Sequence, residues 1–103
     1  MTIGICTYVT YVLKLECGCY YVGKSKSLNK RLNAHFSGDG AKWTQIYKPI
    51  KVVEIKENDV EEQTTIEYMH KYGTDLVRGF TWCQTAPLSK YQKFTIKTKI
   101  RSL

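Results

Sequence analysis

Apolar residues near the start of the chain form two runs that are separated by a short glycine-containing segment. Residues 7–16 and 20–24 are rich in β-branched and aromatic residues, and Glu16-Cys17-Gly18-Cys19 between them has the composition of a turn. This pattern predicts a β-hairpin. Residues 51–55 have a similar β-rich composition and predict a third strand. We therefore expect a small three-stranded antiparallel sheet.

Two later segments have the spacing of helices. Leu28, Leu32 and Phe36 recur every four residues, which predicts a helix that Ser25 or Ser27 caps and whose apolar stripe faces the core. Residues 41–50 predict a short helix or loop closed by a proline.

A second long helix is predicted after the third strand. Either Asn58 or Asp59 can cap it, and the pattern continues to about Tyr72, before Gly73. Helices therefore flank the predicted sheet.

The C-terminal segment alternates with a two-residue period. Phe94, Ile96 and Ile100 lie on one side, and the other side is polar and basic: Thr95, Lys97, Lys99 and Arg101. This periodicity predicts a strand with one basic face. Such a strand would serve as an edge that faces nucleic acid or as a solubilising tail.

These elements define the expected fold class, which is α/β in the α+β sense: a three-stranded antiparallel sheet flanked by helices. A length of 103 residues favours a single domain spanning 1–103, with a core of about 8–83 and a basic C-terminal extension of about 84–103. No apolar run approaches the roughly 20 residues of a membrane span. The first six residues also lack a basic stretch followed by an apolar one, so we expect an intracellular protein that does not associate with membranes.

The net charge of the chain indicates the kind of partner that it binds. The chain has 16 Lys and Arg residues against nine Asp and Glu residues, which gives a net charge of +7 and favours a polyanionic partner. Six of the nine acidic residues fall within fourteen residues: Glu54, Glu57, Asp59, Glu61, Glu62 and Glu67. Such a cluster indicates either a metal site or a solvated helix face, and composition alone favours the solvated face.

Four cysteines allow two disulfides or a zinc site. Cys17 and Cys19 are separated by one residue, which is shorter than the usual spacing of zinc ligands, and His70 is the other candidate ligand beside Cys6 and Cys83. We therefore expect free thiols in a reducing compartment, the cytoplasm or the nucleus.

Two tyrosines carry the strongest functional signal. Tyr11 lies in Thr10-Tyr11-Val12 and Tyr21 lies ten residues later in Tyr21-Val22-Gly23, and Lys24, Arg31 and His35 follow. Taken alone, a tyrosine pair in a hairpin is a cross-strand packing pair, and Arg31 with His35 is a solvated helix flank. In combination the set resembles the GIY-YIG endonuclease family, over roughly residues 8 to 83.

The resemblance implies a metal-dependent DNA endonuclease that leaves 5′-phosphate and 3′-hydroxyl ends. It implies that Tyr11 is the general base or water orienter, that Tyr21 positions phosphate or water, and that Arg31 stabilises the transition state. A phenol with a pKa of about 10 is a poor base at neutral pH. We expect Lys24 and His35 to lower the pKa of this phenol, because a nearby cation or hydrogen bond favours the phenolate.

The resemblance also implies one divalent cation, Mg²⁺ or Mn²⁺, held by a single glutamate on the helix after the third strand. Glu61 is preferred because Thr65, Tyr68 and Met69 follow it at the same spacing as in similar sequences. Glu62 is the alternative, since a cleaner apolar stripe follows it. One carboxylate with several waters and a phosphate oxygen is ordinary coordination for Mg²⁺.

Two further stretches bear on the resemblance. Many members place an asparagine shortly after the metal-binding helix, but residues 74–79 contain none. Either Asp75 or Arg78 takes its place, or the site is arranged differently. Residues 77–80 resemble a sequence in some viral members, which makes a viral origin one expectation. Residues 38–49 resemble a glycine-rich, Trp-Thr and Lys-Pro stretch of the family.

Six basic residues are expected to contact DNA: Lys24, Lys26, Lys30, Lys97, Lys99 and Arg101. A protein partner that supplies specificity is a further expectation, because a chain of this length leaves little room for a separate recognition domain. The alternative function is a catalytically inactive nucleic-acid-binding module of the same fold. A structural or partner-binding domain is a third reading.

Overall fold

The computed structural model describes residues 7–103. Residues 1–6, which include Cys6, lie outside the described range. The expectation that the chain has no leader concerns these residues and also lies outside it. Within it the chain forms four strands and four helices, in this order: β1 Val9–Leu15, β2 Tyr20–Ser25, α1 Leu28–Phe36, α2 Lys42–Ile46, β3 Pro49–Glu57, α3 Glu61–Tyr72, β4 Val77–Gly79 and α4 Lys90–Arg101.

The predicted hairpin is present, and its turn is tight. β1 pairs antiparallel with β2 across the turn Glu16–Gly18, where Cys17 and Gly18 have positive φ angles of 61° and 73°. Glycine adopts this backbone region without a steric penalty, whereas an L residue such as cysteine rarely does. β3 pairs antiparallel with the other edge of β1, as expected.

The sheet nevertheless differs from the expected three antiparallel strands. A fourth strand, β4, pairs in parallel with β2, and the strand order is β3-β1-β2-β4. The expectation was therefore wrong in strand number and in strand direction. β4 is three residues long and buried along its whole length, so it has no alternation of polar and apolar positions that the sequence could reveal.

Helices cover both faces of the sheet. Tyr11, Leu13 and Leu15 of β1 pack on one face with Tyr21 and Trp43, against the layer of α1 and α2. Residues of the opposite face, including Val12 and Val22, pack with side chains of the layer of α3 and α4: Ile66, Met69 and Ile96. Successive strand residues point to opposite faces, so β1 contributes to both cores.

The C-terminal segment is a helix, so the predicted strand with a basic face was wrong. Ser89 begins α4 with a capping box, in which Ser89 Oγ accepts from Gln92 N at 3.1 Å and Ser89 N donates to the Gln92 side chain at 2.8 Å. Ile96 is buried and Ile100 packs beside it, because residues four apart share one helix face. Phe94, which the prediction placed with them, is 65% exposed.

The other helices agree with the predictions in part. Ser27 is at the N-cap position of α1, and Leu28 and Leu32 pack against the core. Phe36, predicted to be buried, is exposed, and His35 is buried in its place. α3 begins at Glu61 and ends before Gly73, close to the predicted limits.

Arg78 of β4 holds the segment after the sheet in place. Its side chain is 2% exposed and donates to the backbone oxygen of Val77 within β4 and to those of residues on both sides of the strand: Thr74, Gln84 and Ala86. The guanidinium also lies 4.5 Å from the centroid of the Trp43 ring. Burial lowers the pKa of Arg78. These donors are directed at backbone oxygens, so Arg78 fixes the chain on either side of β4.

Asp75, the other suggested replacement, is on the surface. Its carboxylate lies 3.3 Å from Lys93 Nζ, and its side chain is 72% exposed. None of the helices within residues 7–103 has the length and apolarity needed to span a membrane. Of the cysteines in this range, Cys17 and Cys83 are exposed free thiols and Cys19 is a buried one.

We predict that Arg78→Met lowers the free energy of unfolding by about 2–4 kcal/mol, because buried backbone oxygens lose their charged donor. Urea denaturation followed by circular dichroism measures the change. Asp75→Asn is the control, and the loss of an exposed ion pair should change stability by less than about 1 kcal/mol. Equal stability of the two variants would show that Arg78 does not hold these loops.

Candidate active site

Tyr11 and Tyr21 lie side by side on the face of the sheet that α1 and α2 cover. Tyr11 pairs with Gly23 and Tyr21 pairs with Leu13, so the two tyrosines are diagonal neighbours on adjacent strands. Their ring centroids are 6.4 Å apart. A Cβ atom on Gly23 would lie 2.5 Å from Tyr11 Oη and 2.9 Å from Tyr21 Cε2. The glycine therefore leaves the space that both rings occupy.

His35 completes an aromatic cluster with these tyrosines. Its Nε2 atom lies 2.7 Å from Tyr11 Oη, and its ring centroid lies 5.6 Å from that of Tyr11 and 5.2 Å from that of Tyr21. His35 is fully buried. A Cβ atom on Gly40 would overlap His35 Nδ1, so the chain after α1 can pass behind the imidazole because residue 40 is a glycine.

His35 is an uncharged imidazole at neutral pH. Burial and the positive charge of Arg31 lower the pKa of His35 to about 4. At neutral pH it can therefore offer a lone pair to the Tyr11 hydroxyl, but it does not supply a positive charge. The sequence suggested a nearby cation or a hydrogen bond as ways to favour a Tyr11 phenolate, and the hydrogen bond between Tyr11 and His35 is present.

Arg31 is the cation that acts on the tyrosines. It lies one helical turn before His35 on α1. Burial raises the pKa of Tyr11, and the charge of Arg31 opposes that shift in part. Burial likewise raises the pKa of Tyr21. Both side chains are therefore neutral phenols.

Lys24 faces different partners from those that the sequence suggested. Its Nζ atom lies 2.7 Å from Asp59 Oδ2 and 4.7 Å from the centroid of the Tyr8 ring. Burial raises the pKa of the Glu61 carboxyl, and the charge of Lys24 opposes this shift in part. The structure thus places Lys24 beside Asp59, just before α3.

Glu61 and Glu62 point to different surroundings. Glu61 is the first residue of α3, and burial raises the pKa of its carboxyl, against the opposing effects of Lys24 and of the Phe80 backbone N–H. Its charge adds to the burial that raises the pKa of Tyr11 and Tyr21. The Glu62 carboxylate instead lies 2.7 Å from Lys99 Nζ of α4.

Phe80 and Thr44 are contributors that the sequence did not single out. Phe80 has a positive φ of 53°, an unusual conformation for a bulky residue, in the turn that follows β4. Burial raises the pKa of the Glu61 carboxyl, and the Phe80 backbone opposes this shift in part. Thr44 lies 3.1 Å from His35 Nδ1. The resemblance to the family included the Trp43-Thr44 pair of α2 but implied no role for it.

The six residues expected to contact DNA fall into two groups. Lys24 lies near the end of β2, Lys26 lies between β2 and α1, and Lys30 lies in the first turn of α1. The other three, Lys97, Lys99 and Arg101, lie on α4, whose buried residues pack on the opposite face of the sheet. The structure therefore does not bring the two groups together beside the tyrosines.

Comparison with known proteins gives the family. The profile of the GIY-YIG catalytic domain matches residues 6–72, more than half of the chain. The chain belongs to the GIY-YIG family. The resemblance that the tyrosines first suggested is thus confirmed, and membership implies a nuclease-type function.

The curated relatives of this GIY-YIG chain include three bacterial UPF0213 proteins. One from Clostridium perfringens is 40% identical over 63 residues, 59% of this chain and 68% of that protein. One from Staphylococcus saprophyticus is 40% identical over 43 residues, and one from Streptococcus pneumoniae is 42% identical over 43 residues. Those two matches each cover 42% of this chain, and they cover 52% and 43% of the relatives.

The chain thus spans about half the length of the Staphylococcus saprophyticus and Streptococcus pneumoniae relatives. No solved structure matches it significantly.

We predict that the GIY-YIG chain loses stability as pH falls from 6.5 to about 4, in part through His35. In this window the unfolded chain protonates His35 and the folded chain does not, so the unfolded state binds more protons. The contribution is fully present above pH 6.5 and amounts to at most about 3 kcal/mol. Urea denaturation between pH 4 and pH 7 measures it.

His35→Gln should flatten this pH dependence relative to the unmodified chain. His70→Gln is the matched control, because His70 is exposed, and it should keep the full slope. Identical slopes for the His35→Gln variant and the unmodified chain would contradict a buried neutral His35.

Proposed function

We propose that this GIY-YIG chain is a metal-dependent DNA endonuclease. The observation that carries the proposal is the buried cluster of Tyr11, Tyr21 and His35, in which His35 Nε2 lies 2.7 Å from Tyr11 Oη and the charge of Arg31 acts on both phenols. The net charge of +7 supports a polyanionic substrate.

Hydrolysis of a phosphodiester requires an aligned water, an acceptor for its proton, and positive charge where the phosphorane develops negative charge. We assign the acceptor role to the Tyr11 oxygen, whose own proton can move to His35 Nε2. Arg31 supplies positive charge beside both phenols, and Tyr21 positions the phosphate or the water. Attack of the water oxygen on phosphorus and cleavage of the bond to the 3′-oxygen give a 5′-phosphate and a 3′-hydroxyl.

The residues present fit a hard divalent cation. The four ion pairs within residues 7–103 use carboxylates other than Glu61, and the Glu61 carboxyl is partly desolvated. We propose that Glu61 holds Mg²⁺ or Mn²⁺, since one carboxylate together with waters and phosphate oxygens is ordinary coordination for these ions. When bound, the cation polarises phosphate oxygens and stabilises charge on the leaving oxygen.

One observation favours the alternative, a catalytically inactive nucleic-acid-binding module. Tyr11 is 0% exposed, and an attacking water must reach its oxygen. A DNA substrate, a protein partner that supplies specificity, and a reducing intracellular compartment remain expectations under either function.

Cleavage of DNA by the purified protein tests the proposal. Duplex, nicked, branched and single-stranded DNA are incubated with Mg²⁺, with Mn²⁺ or with EDTA. We predict metal-dependent cleavage that Glu61→Gln abolishes, because the variant loses its metal ligand, with DNA affinity within a few fold because the basic residues remain.

Glu62→Gln is the matched control at the neighbouring position. It breaks the exposed pair with Lys99 and should keep at least about half of the cleavage rate. Loss of cleavage in Glu62→Gln but not in Glu61→Gln would reverse the ligand assignment. DNA binding without cleavage of any substrate would establish the inactive module.

Tyr11→Phe should slow the chemical step by about two to four orders of magnitude, the usual contribution of a general acid–base group. The ring is kept, so the packing around Tyr11 changes little. Single-turnover cleavage at saturating DNA measures the rate. A rate close to that of the unmodified protein would eliminate Tyr11 as the proton acceptor.

A further inference from the structure

Thr44 forms a chain of hydrogen bonds that ends at Tyr11. Thr44 Oγ1 lies 2.7 Å from the backbone oxygen of Ala41 and 3.1 Å from His35 Nδ1, and His35 Nε2 lies 2.7 Å from Tyr11 Oη. Thr44, His35 and Tyr11 are each at most 1% exposed. Water therefore does not compete for these groups in this state.

The Thr44 hydroxyl has one proton, and its shorter contact is with the Ala41 oxygen. A carbonyl oxygen can only accept, so the hydroxyl donates to Ala41 and its oxygen lone pair faces His35. His35 Nδ1 must then carry a proton in order to hydrogen-bond to Thr44. In a neutral imidazole the other nitrogen, Nε2, is consequently the acceptor.

The contacts of Tyr11 lead independently to the same tautomer. Tyr11 is 0% exposed, so its phenolic proton needs an acceptor within the protein. Within residues 7–103 the hydrogen-bond partner that can accept it is His35 Nε2. A proton on Nε2 would point a second proton at the Tyr11 oxygen and leave the phenolic proton unbound.

We propose that Thr44 is a positioning residue, which holds His35 in the tautomer protonated at Nδ1 so that Nε2 accepts the proton of Tyr11. The catalytic part of this inference rests on the proposed nuclease function. In that reaction one proton moves from water to the Tyr11 oxygen as the phenolic proton moves to Nε2. The imidazole then carries two protons, and the reverse transfers return the extra proton to solvent.

The fold holds Thr44 in this position through its neighbour. α2 has five residues, too few for a stable isolated helix. Trp43 fixes it to the sheet, because the indole N–H donates to the backbone oxygen of Tyr20 at 3.1 Å and the ring is buried. Gly40 packs against the imidazole at Nδ1, so the Thr44 oxygen is the acceptor that the fold offers to that nitrogen.

Nitrogen-15 NMR of the imidazole tests the tautomer directly and without DNA or metal. Long-range ¹H–¹⁵N spectra at pH 7 distinguish a protonated ring nitrogen from an unprotonated one. The chain has two histidines, so the spectrum of His70→Gln assigns the signals of His35. We expect a protonated Nδ1 and an unprotonated Nε2 in the unmodified protein.

Thr44→Val and Thr44→Ser form the matched pair. Valine keeps the shape of threonine without the hydroxyl, so Nδ1 loses its acceptor and His35 should shift toward protonation at Nε2. Serine keeps the hydroxyl and should keep the original tautomer. If Thr44→Val does not fold, Thr44→Ala serves the same purpose. An Nε2-protonated His35 in the unmodified protein, or an unchanged tautomer without the hydroxyl, would overturn the proposal.

Single-turnover cleavage measures the consequence for the reaction. Thr44→Val should be at least about tenfold slower, in line with the loss of a group that orients a functional histidine, and Thr44→Ser should stay within a few fold of the unmodified protein. A changed tautomer with an unchanged rate would overturn the positioning role. If no variant cleaves DNA, the nuclease function fails, while the NMR result still decides whether Thr44 sets the tautomer.

Discussion

The pairing of Tyr11 with Gly23 across the hairpin is the constraint on which the rest of the site depends. It places both tyrosines on one face of the sheet, and the absence of a side chain at Gly23 leaves room for their rings. A slip of one residue in this register would turn one tyrosine toward α3. On α1, the helix that follows β2, Arg31 and His35 lie one turn apart. Arg31 supplies a positive charge and His35 an acceptor for the Tyr11 hydroxyl.

The candidate site draws on both layers of the molecule. α1 and α2 supply the groups that hydrogen-bond to the phenols or to the imidazole, whereas Glu61 belongs to a helix that packs on the other face. Glu61 is the first residue of α3, and its charge adds to the burial that raises the pKa of both tyrosines. Phe80, in the turn after β4, opposes the burial that raises the pKa of the Glu61 carboxyl.

The sequence predicted those parts whose signal is local. The hairpin, β3, the limits of α3 and the tyrosine spacing follow from periodicity and from one motif, and the structure contains each of them. β4 was not predicted because its three buried residues show no periodicity of polar and apolar positions. α4 was predicted as a strand because Phe94 and Ile96 alternate with polar residues, as in a strand. The Ser89 and Gln92 capping box was the signal that could have corrected it. The role of Thr44 depends on an approach between α1 and α2, which spacing along the chain does not reveal.

The buried face of α4 has a consequence for protein engineering. The stretch that matches the GIY-YIG profile stops at residue 72, yet Ile96 and Leu88 are buried against Ile66 and Met69 of α3. A fragment excised at the limits of homology would therefore expose an apolar surface on α3 and would lack β4, which pairs with β2. A transplantable version of this nuclease-type module has to extend through the C-terminal helix, even though that helix lies outside the matched stretch.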